Sequence, residues 1–196
     1  PLAGNTPTVG TGQWTVVSGI GGSFVDNSDP NTIFNGASGT LYVLRWTIRN
    51  GVCPANSDDV QIRLDATPTP ATAGIDRNIC GTSATLAGNS PLVGTGSWSI
   101  VSGGAGSFLD PTNPTTVFSG SAGTSYVLEW TITNGLCSTS DQVSINFNTT
   151  PTVANAGADD SKCGLGDFTL AGNSPSVGTG SWSIEGPDNG AVITTP

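Results

Sequence analysis

Histidine and methionine are absent from this chain, and lysine occurs once, at Lys162. Without an imidazole, no serine or cysteine has the general base that a nucleophilic triad needs. The commonest metal ligand is missing as well. Lys and Arg number 5 against 14 Asp and Glu, for a net charge of −9. Five scattered cations cannot neutralise a phosphate backbone, which excludes nucleic acid as a partner. No apolar run approaches the ~18 residues of a spanning helix, and no stretch carries the 3.6-residue apolar period of an amphipathic helix. The four cysteines form no CxxC pair, so a zinc-ribbon ligand set is missing too.

What is present is repetition. LAGNTPTVGTGQWTVVS from Leu2, LAGNSPLVGTGSWSIVS from Leu86 and LAGNSPSVGTGSWSIEG from Leu170 are three copies of one text, 84 residues apart. The chain is therefore an array of one unit. It starts just ahead of one copy and stops a third of the way through another, which reads as a segment of a longer polypeptide. The abundance of Gly, 28 residues, with Ser and Thr and a charged fraction of only 10%, is the composition of a β-rich extracellular protein.

TSYVLEWTITNGLC at 124–137 matches TLYVLRWTIRNGVC at 40–53 position for position. Tyr126, Leu128, Trp130 and Ile132 alternate with Val127, Glu129, Thr131 and Thr133, the pattern of a strand with one buried face. Asn134-Gly135 marks a turn, and Val143, Ile145 and Phe147 form the returning strand. Trp98 and Ile100 define another strand, and Phe108 and Phe118 anchor shorter ones. About seven short strands per unit, with turns every eight to twelve residues, predict an all-β fold: tandem immunoglobulin-like β-sandwiches of about 84 residues in an extended rod. The predicted division is repeat 1 over 1–66, lacking its first strand; a linker over 67–78; a complete repeat 2 over 79–149; a linker over 150–161; and the N-terminal part of repeat 3 over 162–196. The linkers are read from their Pro, Thr and Ala content, which suggests short, stiff joints.

The predicted core comprises Trp14, Trp46, Trp98, Trp130, Trp182, Phe24, Phe108, Tyr42 and Tyr126, with Trp98 and Trp130 each in phase with aliphatic neighbours. The cysteines recur at equivalent places, which favours disulfides and an oxidising compartment. Cys53 with Cys80 and Cys137 with Cys163 would each cross a linker; Cys80 with Cys137 would lie within one unit. With the first strand entering the sandwich at the pole that carries the last hairpin turn, the Cα limit of about 7 Å favours Cys80 with Cys137. Cys53 and Cys163 are then left to partners outside these residues.

GTG at 10–12, 94–96 and 178–180 precedes a strand rather than a helix, so it reads as a turn and not a phosphate loop. Asp26, Asp29, Asp58, Asp59, Asp76, Asp110, Asp141, Asp159 and Asp160 match no calcium loop. No cofactor is expected; calcium at the inter-domain joints is the one ion these carboxylates would suit. No carboxylate pair recurs in a setting that would raise a pKa, so no catalytic residue is assigned and the chain is read as non-enzymatic.

LAGNSPLVGTGSWSIVSG, the SYVLEWTITNGLC stretch and the TPTxAxAGxD run before NIC or SKC resemble the PKD-like and immunoglobulin-like repeats of giant surface adhesins of gliding Bacteroidota. The resemblance covers essentially the whole chain. It implies type IX secretion, cell-surface attachment and a role in adhesion and gliding. WSIVSG stands in place of the WDFGDG-type turn of PKD domains, so carbohydrate binding does not transfer with it. The expected function is a non-catalytic stalk whose partners are adjacent repeats and, at the surface, polysaccharide or other cell-surface proteins. A glycan- or protein-binding module and a spacer of a large secreted hydrolase are the alternatives.

Overall fold

A computed structural model describes residues 1–164, 166–187 and 190–194. Twelve strands run in order: β1 (Thr11–Ser18), β2 (Ser23–Phe24), β3 (Phe34–Asn35), β4 (Thr40–Arg49), β5 (Asn56–Leu64), β6 (Arg77–Cys80), β7 (Ser83–Thr85), β8 (Thr95–Ser102), β9 (Ser107–Phe108), β10 (Val117–Ser119), β11 (Thr124–Asn134) and β12 (Cys137–Asn148). The first five belong to unit 1 and the last seven to unit 2. No helix among the described residues is long and apolar enough to cross a membrane.

The period-two alternation is realised in β11, where Tyr126, Leu128, Trp130 and Ile132 are all buried. β12 returns antiparallel, with Tyr126 opposite Ile145 and Leu128 opposite Val143. β8 flanks the other side of β11 and sets Trp98 opposite Trp130. β6 closes the far edge by pairing parallel with the end of β12, giving a four-stranded sheet in the order β6-β12-β11-β8. β7, β10 and β9 form the second sheet. Ala84 and Phe118 from that sheet meet Trp98, Tyr126, Trp130 and Phe147 from the first in one buried cluster. Unit 2 is thus an all-β sandwich of seven strands, and unit 1 repeats its pattern with β1-β4-β5 over β2-β3.

The aromatic core repeats with little change. Trp14 and Trp46 lie 5.1 Å apart at 41°, and Trp98 and Trp130 lie 5.1 Å apart at 40°. Phe24 and Phe108 are half-buried and each stacks 6.4 Å from the first tryptophan of its unit. Tyr42 and Tyr126 are fully buried, yet each hydroxyl is satisfied twice. Tyr126 Oη donates to the Ala105 carbonyl at 2.8 Å and accepts from the Ser121 amide at 2.9 Å. Tyr42 does the same with Ile20 and Ala37.

Trp182 departs from the expected core: it is 43% exposed, and the described residues of the third copy form no strand. Trp98 is covered by Trp130 on β11, and these 196 residues contain no third copy of that strand. A tryptophan can be core only where the opposing sheet is present.

The GTG turn has a steric explanation. Gly94 has φ +98°, and Gly96 lies so close under the indole of Trp130 that a Cβ there would stand 2.1 Å from Cζ2. Gly12 faces Trp46 in the same way. A two-residue hairpin, Gly135-Leu136, joins β11 to β12, with Asn134 paired to Cys137 at its base. The counterpart in unit 1 is longer, because Pro54 after Cys53 has no amide to donate and pairing resumes only at Asn56.

Gly96→Ala should therefore destabilise unit 2 by about 1–3 kcal/mol through overpacking, measured as a loss of urea-unfolding free energy. The same change at the exposed Gly104, where no atom lies within 4 Å of the place a Cβ would occupy but φ is +90°, should act through backbone strain alone and leave the Trp130 fluorescence of the folded state unaltered.

Candidate functional site

The residues that set one unit upon the next are the chemically distinctive ones, and they begin with the Pro- and Thr-rich segment. Residues 67–78, expected to be a linker, lie along β12 instead. The Ala71 amide donates to Thr139 Oγ1 at 3.1 Å, Thr139 Oγ1 donates to the Thr69 carbonyl at 2.9 Å, and the Ala73 amide donates to Asp141 Oδ2 at 2.8 Å. Farther along, the Ser144 amide donates to Asp76 Oδ1. Pro68 is buried and Ala73, 1% exposed, belongs to the core cluster. The segment is the first edge of unit 2. Side chains of β12 take the place of a backbone ladder, because prolines at 68 and 70 have no amides to offer.

The repeated LAGN block grips this segment from the other side. Asn89 Oδ1 accepts the Thr72 amide at 2.8 Å, its Nδ2 donates to the Pro70 carbonyl at 3.0 Å, and its own amide donates to the Thr72 carbonyl at 3.1 Å. Thr69 Oγ1 accepts the amides of Leu92 and Val93, both at 2.9 Å. The third copy makes the same clamp: Asn173 with Asn155 and Val153, and Thr152 Oγ1 with Ser176 and Val177. Trp130 Nε1 donates to the Asn89 carbonyl at 3.1 Å, whereas the buried Trp46 Nε1 of unit 1 finds no acceptor among the described residues.

The joint between the units is built on Asp65, just past the end of β5. Its Oδ2 accepts the Leu136 amide at 3.1 Å, in the hairpin of unit 2, while Arg63 bonds its Oδ1. Asn134 Nδ2 donates to the Ala66 carbonyl at 2.8 Å. Gly135, φ +61°, approaches so closely that a Cβ would clash with the Asp65 carboxylate. The last strand of unit 1 therefore ends on the hairpin tip of unit 2, and unit 2 leaves from the opposite end of β12. The Leu136 amide first, and the Arg63 side chain after it, hold the Asp65 carboxyl below its ordinary value of 3.8.

The expected disulfide between Cys80 and Cys137 is not formed; all four cysteines are free thiols. Cys137 begins β12 and Cys80 pairs with Asn148 at its end, so roughly 35 Å of strand separates them. The segment taken for a linker already runs the length of β12, so the chain has crossed the sandwich by the time it reaches Cys80.

The acidic positions have local employment. Asp26 Oδ1 accepts the Ser28 hydroxyl and amide, and Asp110 Oδ1 accepts those of Thr112; these bonds lower both carboxyls below the usual range. Arg45 forms a two-pronged pair with Asp59 across β4 and β5 at 2.7 and 2.8 Å. In unit 2 the same cross-strand site holds Glu129 and Gln142, bonded at 3.0 Å. The charge reversal at that position is thus a change of partners in pairs. Among the described residues, no group of three or more His, Cys, Asp or Glu could hold a metal ion.

Sequence reasoning missed Thr69, Asn89 and Asp65. The signal for the first two was available: TPT and LAGN recur together, and each clamp needs both.

No protein-family model matches the chain, and none of the curated proteins matches it. Among solved structures it is similar to an endo-fucoidan hydrolase from glycoside hydrolase family 107, with 16% identity, a TM-score of 0.29 and 72% of this chain matched to 24% of that one. It is also similar to Drosophila N-cadherin EC1-3, with 19% identity, a TM-score of 0.30 and coverage of 74% and 57%. For mouse cadherin-23 EC22-24 the values are 12%, 0.29, 78% and 62%. The chain spans less than two thirds of each of these structures.

Asn89→Ala should cost about 1–2 kcal/mol and raise amide exchange at Thr72 and Ala73, read by hydrogen-exchange mass spectrometry. The Asp65 contact should respond to acid. A carboxyl lowered on folding contributes stability that is fully present above its unfolded value and lost as pH falls through its folded value. The Leu136 amide resonance should accordingly titrate with a midpoint below 3.8, and Asp65→Asn should abolish that titration.

Proposed function

We propose that the chain is a segment of a non-catalytic extracellular stalk, a run of sandwiches docked end to end that sets an adhesive element away from a cell surface. The observation that carries this reading is the joint at Asp65, where the exit of one unit meets the hairpin tip of the next. Near-identical units fit it, since a stalk requires length and uniform mechanics rather than a unique site. Adjacent repeats are the first partners of each unit; surface polysaccharide or cell-surface proteins are the outer ones. Use in gliding-type adhesion after type IX export is the finer form of the proposal, supported by the repeat text and its resemblance.

A glycan-binding role is the second reading. An open groove on unit 2 supports it, where the hydroxyl residues Thr95, Ser97, Thr112, Thr131 and Thr133 stand around Pro91, Gly94 and Gly96 in a mostly apolar lining of the kind a sugar face can lie against.

Small-angle scattering decides the first reading. The expected outcome is an elongated particle whose length grows with each added unit, and a compact particle would overturn it. Glycan-array binding that is lost in Thr131→Val and Thr133→Val would move the assignment to the second reading.

A further inference from the structure

The two cysteine positions of the repeat lie at opposite poles of a unit, and end-to-end docking makes opposite poles neighbours. Cys80 closes β6 beside Asn148, and the Gly81 amide donates to the Asn148 carbonyl, so this cysteine sits where the chain leaves unit 2. In unit 1 the residue standing where Asn148 stands is Asp65. Each follows the apolar residue paired with the first residue of its partner strand, Leu64 opposite Thr40 and Phe147 opposite Thr124. Asp65 is the residue that touches Leu136, and Cys137 comes next in the chain.

Register fixes the face from which each side chain leaves. Residues in register on neighbouring strands project from the same face, so a cysteine beside Asp65 would share the face from which the Asp65 carboxylate reaches the hairpin. On the other side, Cys137 has the same parity along β12 as Thr139 and Asp141, whose side chains bond the incoming segment from Thr69 to Ala73. Its side chain therefore leaves from the inner face of β12, the face that also carries Val143, Ile145 and Phe147, beside the incoming segment and at the level where the preceding unit ends. Within a unit the two positions are far beyond disulfide reach, whereas across a joint the first stands in register with Asp65 and the second follows Leu136, whose amide bonds Asp65.

We infer that the cysteines form a clip between consecutive units: the first-strand cysteine of one unit, at the Cys80 position, bonds to the hairpin cysteine of the next, at the Cys137 position. The reaction is thiol–disulfide exchange with a small-molecule disulfide such as glutathione disulfide. One cysteine thiolate attacks the oxidant's S–S bond and forms a mixed disulfide, releasing one glutathione thiol. The second cysteine attacks the mixed disulfide, the inter-unit S–S bond forms, and a second glutathione thiol leaves. The two cysteine protons and two electrons end on the two glutathione thiols. The proposal rests on the stalk reading, since only end-to-end units bring the two positions together.

The test restores the missing strand to unit 1. Pro1 aligns with Thr85, so a copy of residues 67–84 fused ahead of Pro1 gives unit 1 its incoming segment, its first strand and a cysteine beside Asp65. After equilibration in a glutathione redox buffer, non-reducing peptide mapping should join the copied cysteine to Cys137, and both thiols should be lost to alkylation while Cys53 stays reactive. Cys137→Ser should leave the copied cysteine alkylatable. A version with serine in place of the copied cysteine serves as the folded reference, checked by amide protection along β5.

A copied cysteine that stays free, or that joins Cys53, Cys80 or another molecule, would overturn the clip. So would an added segment that fails to protect β5. If mapping fails while scattering remains elongated, the clip alone is wrong; a compact particle would remove the stalk reading itself.

Discussion

The indole of Trp130 lies so close against Gly96 that no side chain fits there, and Trp98 and Trp130 together crowd Gly88, where a Cβ would stand 3.0 and 3.2 Å from them. The unit is assembled around these contacts. The Trp130 ring is fully buried, tilts against Trp98 across the strand pair, and sends its Nε1 proton to the backbone of Asn89. One glycine of the repeated block, Gly96, is therefore there for the sake of a tryptophan on a distant strand, and Gly88 is held small by both indoles. A core of this kind admits little compensation, because interiors packed at crystal-like density respond to a single added methyl. It follows that the block is well preserved among the three copies without any ligand to select for it.

The same Asn89 ties the core to the docking of the chain. Its carbonyl serves the tryptophan, and its side chain holds the segment from Pro70 to Thr72. One residue thus joins the interior of unit 2 to the chain that enters it.

Much of the sandwich was legible because burial imposes a period on β11 and β12, where every second residue from Tyr126 to Ile132 and from Val143 to Phe147 meets the core. The GTG turn was legible as a turn, though the demand that Trp130 places on its second glycine was not, since the two are distant in sequence. The incoming edge was misread for a definite reason. Its prolines remove the amides that make a strand recognisable, and the bonds that replace them come from Asn89, Thr139 and Asp141, which follow no period. That one error carried into the cysteine assignment, because it reversed the end of the sandwich at which Cys80 was expected. Trp182 was placed in a core by analogy with its copies, although burial belongs to a pair of sheets and not to a residue.

One feature of the topology governs how tension would travel. The incoming segment and β6 run parallel to β12, so the chain enters unit 2 at one pole and leaves at the other. Pulling on the two ends slides the first edge along the last strand, and the bonds from Thr69 to Asn148 are loaded together in shear instead of being opened one at a time. The prolines that disguise this edge as a linker also stiffen it against stretching, leaving the row of side-chain bonds on β12 as the element that yields.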